Sequence, residues 1–125
     1  MIEIIPAINT PTFDEVRARI QKVESYVSWC HLDVTDGIFS QHPTWREPAD
    51  LARLETKLKC EVHLMVEKPE AIMGRWLGEP IRRVIVHIEA VEDPESIITQ
   101  CRESGREVGF AVRPDTRGDR LRPWC

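Results

Sequence analysis

His31-Leu32-Asp33-Val34-Thr35-Asp36-Gly37, read with Glu61-Val62-His63-Leu64-Met65, decides how this chain folds. In a β-strand, successive side chains take opposite faces, so residues two apart point the same way. His31, Asp33 and Thr35 then share one face, and Cys30, Leu32 and Val34 take the other. By the same parity Glu61, His63 and Met65 face together, opposite Cys60, Val62 and Leu64. If these two strands are parallel neighbours, one polar face presents two imidazoles and a carboxylate at similar height. Such a set is the beginning of a divalent metal site.

Working outward, strand-like and helix-like segments alternate with little between them. Ile2 to Ile8 is an apolar run that ends near Asn9-Thr10-Pro11. Thr12 caps a helix, with Glu15 three residues later, and Phe13, Val16, Ile20 and Val23 follow at helical spacing. Val27 to Val34 forms the second strand. The loop Gly37 to Glu47 leads into a helix predicted from Pro48 to Leu58. Cys60 to Val66 is the third strand, and Pro69 opens a helix through Trp76, at a position where proline is tolerated. Ile81 to Ile88 is the fourth strand, Asp93-Pro94 starts a helix to about Glu103, and Val108 to Val112 is the fifth strand. Pro114-Asp115-Thr116 turns into a last helical stub that reaches Cys125.

Strands separated by helices of this length imply right-handed crossovers and a parallel sheet. An open doubly wound sheet and a (β/α)₈ barrel both satisfy that pattern. The first strand-to-helix turn, Ala7-Ile8-Asn9-Thr10-Pro11, lacks a glycine-rich dinucleotide fingerprint, which weighs against the open sheet. Polar residues gather instead at the C-terminal ends of strands: Asn9, Asp33 with Asp36, His63, His87 with Glu89, and Arg113. Barrel enzymes build their active sites from those ends, and a full barrel takes about 250 residues. These 125 residues read as a single domain, residues 1–125, forming roughly half of one.

Composition narrows the function. Hydrophobic residues make up 42% and charged residues 30%, with a net charge of −4 from 17 basic and 21 acidic groups. The charges are dispersed and form no basic patch, which argues against nucleic-acid binding. No apolar run approaches membrane-span length and the N-terminus lacks a secretory pattern, so no membrane role and a cytoplasmic location are expected. Cys30, Cys60, Cys101 and Cys125 form no C-x-x-C pair and read as reduced thiols, the strand pair packing as small apolar groups. Trp29, Trp45, Trp76 and Trp124 show no regular spacing and read as packing, and His42 reads as solvated.

The chain resembles the N-terminal part of the ribulose-phosphate 3-epimerase family, as a divergent member. His31, Asp33, Asp36 and Gly37 match the family's His-x-Asp-x-x-Asp-Gly strand motif. His63-Leu64-Met65-Val66 matches its third-strand motif, and His87-Ile88-Glu89-Ala90 its fourth-strand signature. The fifth-strand end is only approximated by Arg113-Pro114-Asp115-Thr116. The fold implied is an incomplete parallel (β/α) barrel of the ribulose-phosphate-binding TIM type, with about five strands and four to five helices.

The resemblance implies an isomerase that interconverts D-ribulose 5-phosphate and D-xylulose 5-phosphate through an enediolate, with a divalent metal ion (zinc, iron or manganese). It assigns His31, Asp33 and His63 as metal ligands and Asp33 as a catalytic acid/base. Asn9, His63 and Met65 are the expected substrate contacts, and Asp36, His87 and Glu89 are expected to stand behind the ligands. Asp36 is expected to brace its turn rather than act directly. A metal-bound carboxylate has a depressed pKa, so a base role requires Asp33 to be weakly ligating and mobile. The family's second catalytic aspartate, also its fourth ligand, and its phosphate-cradling loops belong to later strands. A lone copy of these residues is therefore expected not to epimerise.

Two departures bear on substrate. Ala7 stands where the family usually carries serine, with Asn9 on the same face as the replacement, and Thr35 stands where methionine is common. Other sugar-phosphate barrel enzymes of the decarboxylase and aldol type carry Asp-x-Lys-x-x-Asp on a strand. The aligned residues here are Asp33, Thr35 and Ile38, so the lysine is missing. A non-catalytic half-barrel serving as an interaction or assembly module is the remaining alternative, and His31, Asp33 and His63 weigh against it. Open strand edges are expected to drive self-association into a homo-oligomer.

Overall fold

The computed structural model describes residues 1–125. Five strands, β1 (Ala7–Ile8), β2 (Trp29–Thr35), β3 (Lys59–Met65), β4 (Ile81–His87) and β5 (Glu107–Ala111), form one sheet in the order β1-β2-β3-β4-β5. Every neighbouring pair is parallel. A doubly wound sheet reverses its strand order at a switch point. Here the order advances one way, as in a segment of a (β/α) barrel.

One face of this sheet is dry. Leu32, Val34, Val62, Leu64, Val84 and Val86 are at most 1% exposed and join a single core cluster with residues of the connecting segments. Helix α1 (Phe13–Val23) contributes Phe13, Val16 and Ile20, and helix α2 (Pro94–Glu103) contributes Ile97 and Cys101. The Thr12 hydroxyl accepts the Glu15 N–H at 3.2 Å and the Asp93 carboxylate accepts that of Ser96 at 3.1 Å, so each α-helix starts on a side-chain cap. The alternate residues of each strand face the other side, which is only partly covered. That side carries the polar groups.

The sequence reading differs from the structure in three elements. Only Ala7–Ile8 of the expected Ile2–Ile8 strand is paired, and Ile2 and Ile4 are 91% and 73% exposed. Pro6 offers its carbonyl to His31 N–H at 2.9 Å but has no N–H of its own, so the ladder stops there. Pro48–Arg53 winds as a 3₁₀ segment rather than a helix to Leu58, because Leu54 turns extended at ψ 95°. Leu51, Leu54 and Leu58 are nonetheless all buried, through a tight turn followed by extended chain. Pro69–Ala71 and Met73–Trp76 are two short 3₁₀ turns separated by Ile72, and they bury Met73 and Trp76 without an α-helix. The C-terminal stub, Gly118–Trp124, is also 3₁₀.

Candidate metal centre

Strand register builds the polar face in rows. Ala7, His31, Glu61, Arg83 and Glu107 align across the five strands, and Asp33, His63, Ile85 and Gly109 form the next row towards the C-terminal ends. Asp33 therefore sits directly opposite His63, with His31 one row below. A group that could hold a cation results: His31 Nε2, Asp33 Oδ1 and His63 Nδ1 converge, separated by 3.0, 3.3 and 3.4 Å. Four ligands placed about 2.05 Å from a zinc ion in a tetrahedron lie about 3.3 Å apart. Spacing and donor chemistry both fit a divalent cation.

The lower row fixes the His31 tautomer. Glu61 accepts from His31 Nδ1 at 2.6 Å and from Arg83 Nη1 at 2.6 Å, and Arg83 also pairs with Glu107 at 2.6 Å. With Nδ1–H committed to Glu61, Nε2 is the atom turned to Asp33 and His63. Nε2 and Asp33 Oδ1, 3.0 Å apart, would then set lone pair against lone pair unless a cation or a proton stands between them. Hydrogen bonding to Asp33 is the main cause that raises the His31 pKa above its ordinary value; burial opposes it and Glu61 adds to it. Burial works against the Asp33 and Glu61 carboxylates. Hydrogen bonds from His31 to Asp33, and from His31 and Arg83 to Glu61, nevertheless hold both pKa values low.

The remaining expected residues surround this group. Asn9 Nδ2 donates to Asp33 Oδ2 at 3.3 Å, leaving Oδ1 for the cluster. Met65, half-buried at the end of β3, lies on the same face as His63. His87, at the end of β4, has Nε2 only 2.8 Å from His63 Nε2, and the two ring planes are within 16° of each other with centroids 4.9 Å apart. Burial lowers the His87 pKa, with the neighbouring His63 adding to the effect. Glu89 Oε2 lies 3.5 Å from His87 Nδ1, while Oε1 accepts the Arg113 N–H at 2.5 Å. Asp36 is not part of the cluster. Its carboxylate accepts the backbone N–H groups of Ile38, Phe39 and Glu67, each at 2.8 Å, which ties the turn after β2 to the end of β3. Gly37 occupies φ +77° in that turn, a conformation open to glycine.

Glu61, Arg83, Glu107 and Phe39 are contributors to which sequence reasoning gave no role. Parity did place Glu61 on the polar face, two residues before His63, but the register that aligns it with His31 and Arg83 is a tertiary property. Phe39 packs on the His87 ring at 5.1 Å, and Arg113 covers Phe39 at 3.9 Å while donating to its carbonyl at 2.8 Å. On the dry face of the same strands, Cys30 and Cys60 lie thiol to thiol at 3.2 Å, fully buried and unbridged.

Consecutive parallel strands with a His–Asp–His group on their inner face define a partial (β/α) barrel protein with a group that could hold a cation. The chain belongs to the ribulose-phosphate 3 epimerase family, whose sequence profile matches residues 3–124. It is 29% identical over 122 residues to the ribulose-phosphate 3-epimerase of Rhodobacter capsulatus, covering 96% of this chain and 54% of that protein. It is 32% identical over 124 residues to the Synechocystis enzyme of the same name, with the same coverage of 96% and 54%. The Chlamydia muridarum enzyme is 34% identical over 95 residues, or 74% of this chain and 41% of its own length. The chain thus spans about half the length of the first two relatives. No helix is long and apolar enough to cross a membrane.

Proposed function

We propose that residues 1–125 are one domain, the N-terminal portion of a cytoplasmic, metal-dependent epimerase acting on D-ribulose 5-phosphate. The observation that carries this reading is the convergence of His31 Nε2, Asp33 Oδ1 and His63 Nδ1 within 3.4 Å of one another on the inner face of a family barrel. These three groups would hold zinc, iron or manganese. A bound divalent cation supplies Lewis acidity for the charge that develops on the sugar's carbonyl and hydroxyl oxygens as the enediolate forms.

The chain's own residues carry the proton chemistry. Asp33 takes the C3 proton through Oδ2, the oxygen that Asn9 steadies, while its other oxygen stays with the histidines. Removal of a C–H proton at that position leaves the electron pair in the enediolate. Return of a proton to the same face regenerates D-ribulose 5-phosphate, and return to the opposite face gives D-xylulose 5-phosphate. The second delivery needs an acid on the opposite face of C3, which the family resemblance assigns to a later strand. Asn9, His63 and Met65 bound the sugar on this side. Glu61 is committed to His31 and Arg83 and keeps His31 aimed.

One-sided chemistry has a direct test. The chain is incubated with D-ribulose 5-phosphate and Mn²⁺ or Zn²⁺ in D₂O, and the C3–H signal is followed by NMR. Loss of that signal without xylulose 5-phosphate formation, abolished by Asp33→Asn, is the expected result. A C3–H signal that persists in the presence of bound metal overturns the assignment of Asp33 as the base.

A further inference from the structure

Two buried polar atoms near the metal centre have no hydrogen-bond partner: His87 Nδ1 and Glu89 Oε2. They face each other at 3.5 Å, and both side chains are nearly covered, at 11% and 14% exposure. Leaving a buried carboxylate oxygen unpaired is costly, so the arrangement favours whichever proton placement joins the two atoms. Glu89 Oε1 accepts from the Arg113 backbone N–H at 2.5 Å, and hydrogen bonding outweighs burial and holds its pKa at about 2. It is a carboxylate and can only accept. His87 Nδ1 must therefore carry the hydrogen.

The rest follows by exclusion along the chain of contacts. With its hydrogen on Nδ1, neutral His87 has a lone pair on Nε2. His63 Nε2 is 2.8 Å from that lone pair, so it must be the donor. With its hydrogen on Nε2, His63 keeps a lone pair on Nδ1, the atom that faces Asp33 and His31. The opposite tautomers would bring the His87 Nδ1 lone pair against the Glu89 carboxylate. They would also place a hydrogen on the ligand atom of His63.

We propose that Glu89, acting through His87, selects the His63 tautomer whose Nδ1 is free to bind a cation, and so positions this ligand before the metal arrives. The proposal rests on the metal reading of the His31–Asp33–His63 group. His87 and Glu89 are positioning residues, held in place by Phe39 against the His87 ring and by the β5 exit at Arg113. Metal-ligating histidines generally have such a partner on the second nitrogen, and losing it typically costs 10–100-fold in affinity. A histidine in that place, itself oriented by a carboxylate, adds a second link.

The test has two parts. Imidazole ¹⁵N NMR of the metal-free wild-type chain at neutral pH should show hydrogen on His63 Nε2 and His87 Nδ1; hydrogen on His63 Nδ1 overturns the proposal. Co²⁺ titration, read by its visible absorption, should show affinity about 10–100-fold weaker in His87→Phe, which keeps the ring packing, and in Glu89→Met. Glu89→Gln, whose amide oxygen can still accept, should recover most of the loss. Wild-type affinity in His87→Phe overturns the proposal while leaving the metal site standing. Failure of the wild-type chain to bind Co²⁺ more tightly than His63→Ala overturns the metal reading and this one with it, whatever the tautomers.

Discussion

Glu61→Gln should cost about 3 kcal/mol of stability in the metal-free chain. The Glu61 side chain is 8% exposed and accepts two charge-assisted hydrogen bonds, each 2.6 Å long, from His31 and Arg83. Such bonds contribute about 1.5–3 kcal/mol apiece. Glutamine keeps one accepting oxygen and turns an NH₂ group towards the other donor, so one bond is lost and a donor–donor contact replaces it. Arg83 retains Glu107 at 2.6 Å, but that carboxylate is 62% exposed and offers little. Removing one partner of a buried pair costs about 3–5 kcal/mol, and the 30% exposure of Arg83 places this case at the lower end. With a urea m-value of about 2 kcal/mol/M, the unfolding midpoint should fall by about 1.5 M. Urea unfolding at pH 7 without added metal, followed by circular dichroism and tryptophan fluorescence, reads this directly. A shift below about 0.3 M would mean that the row of charges beneath the metal centre is no stronger than a surface ion pair, and the account of how His31 is oriented would fall.

Leu64→Ala, at a fully buried position on β3, should destabilise by about 3 kcal/mol, since three methylene equivalents at about 0.8 kcal/mol each leave a cavity as well; equilibrium urea unfolding measures it. Thr12→Ala removes the acceptor at the start of α1 and should cost about 1 kcal/mol in the same assay. Glu89 has a folded pKa of about 2 against an ordinary 4.5, so its contribution is fully present above pH 4.5 and is lost as pH falls towards 2. That contribution is bounded at about 3 kcal/mol, and Glu89→Gln should flatten the stability profile across this window. β1 and β5 each have only one neighbour in the sheet, so size-exclusion chromatography should show the chain eluting as an oligomer. A clean folded monomer would contradict that expectation.

Side-chain parity was enough to bring His31, Asp33 and His63 together, because alternation in a strand is a local property and both stretches lie on paired strands. Register was not legible. Nothing local says that Asp33 aligns with His63 and His31 with Glu61, and the roles of Arg83 and Glu107 appear only once four strands are aligned. The connecting segments misled for a different reason. Leu51, Leu54 and Leu58 satisfy helical spacing, but burial of the same residues is equally met by a 3₁₀ turn and extended chain. Phe39 carries no mark in the sequence, since its position beside His87 depends on the turn that Asp36 braces and on Arg113 from seventy-four residues away.

The row His31–Glu61–Arg83–Glu107 also penalises other alignments of the strands. Sliding β3 by one position against β2 would drive Glu61 and His63 into the oily layer and hand their places to Cys60 and Val62. The Glu61 carboxylate stranded there without a partner would forfeit several kcal/mol. The same side chains that ready a cation site thus forbid the neighbouring alignments, and a variant that empties the centre should lose fidelity of strand pairing along with its ligand.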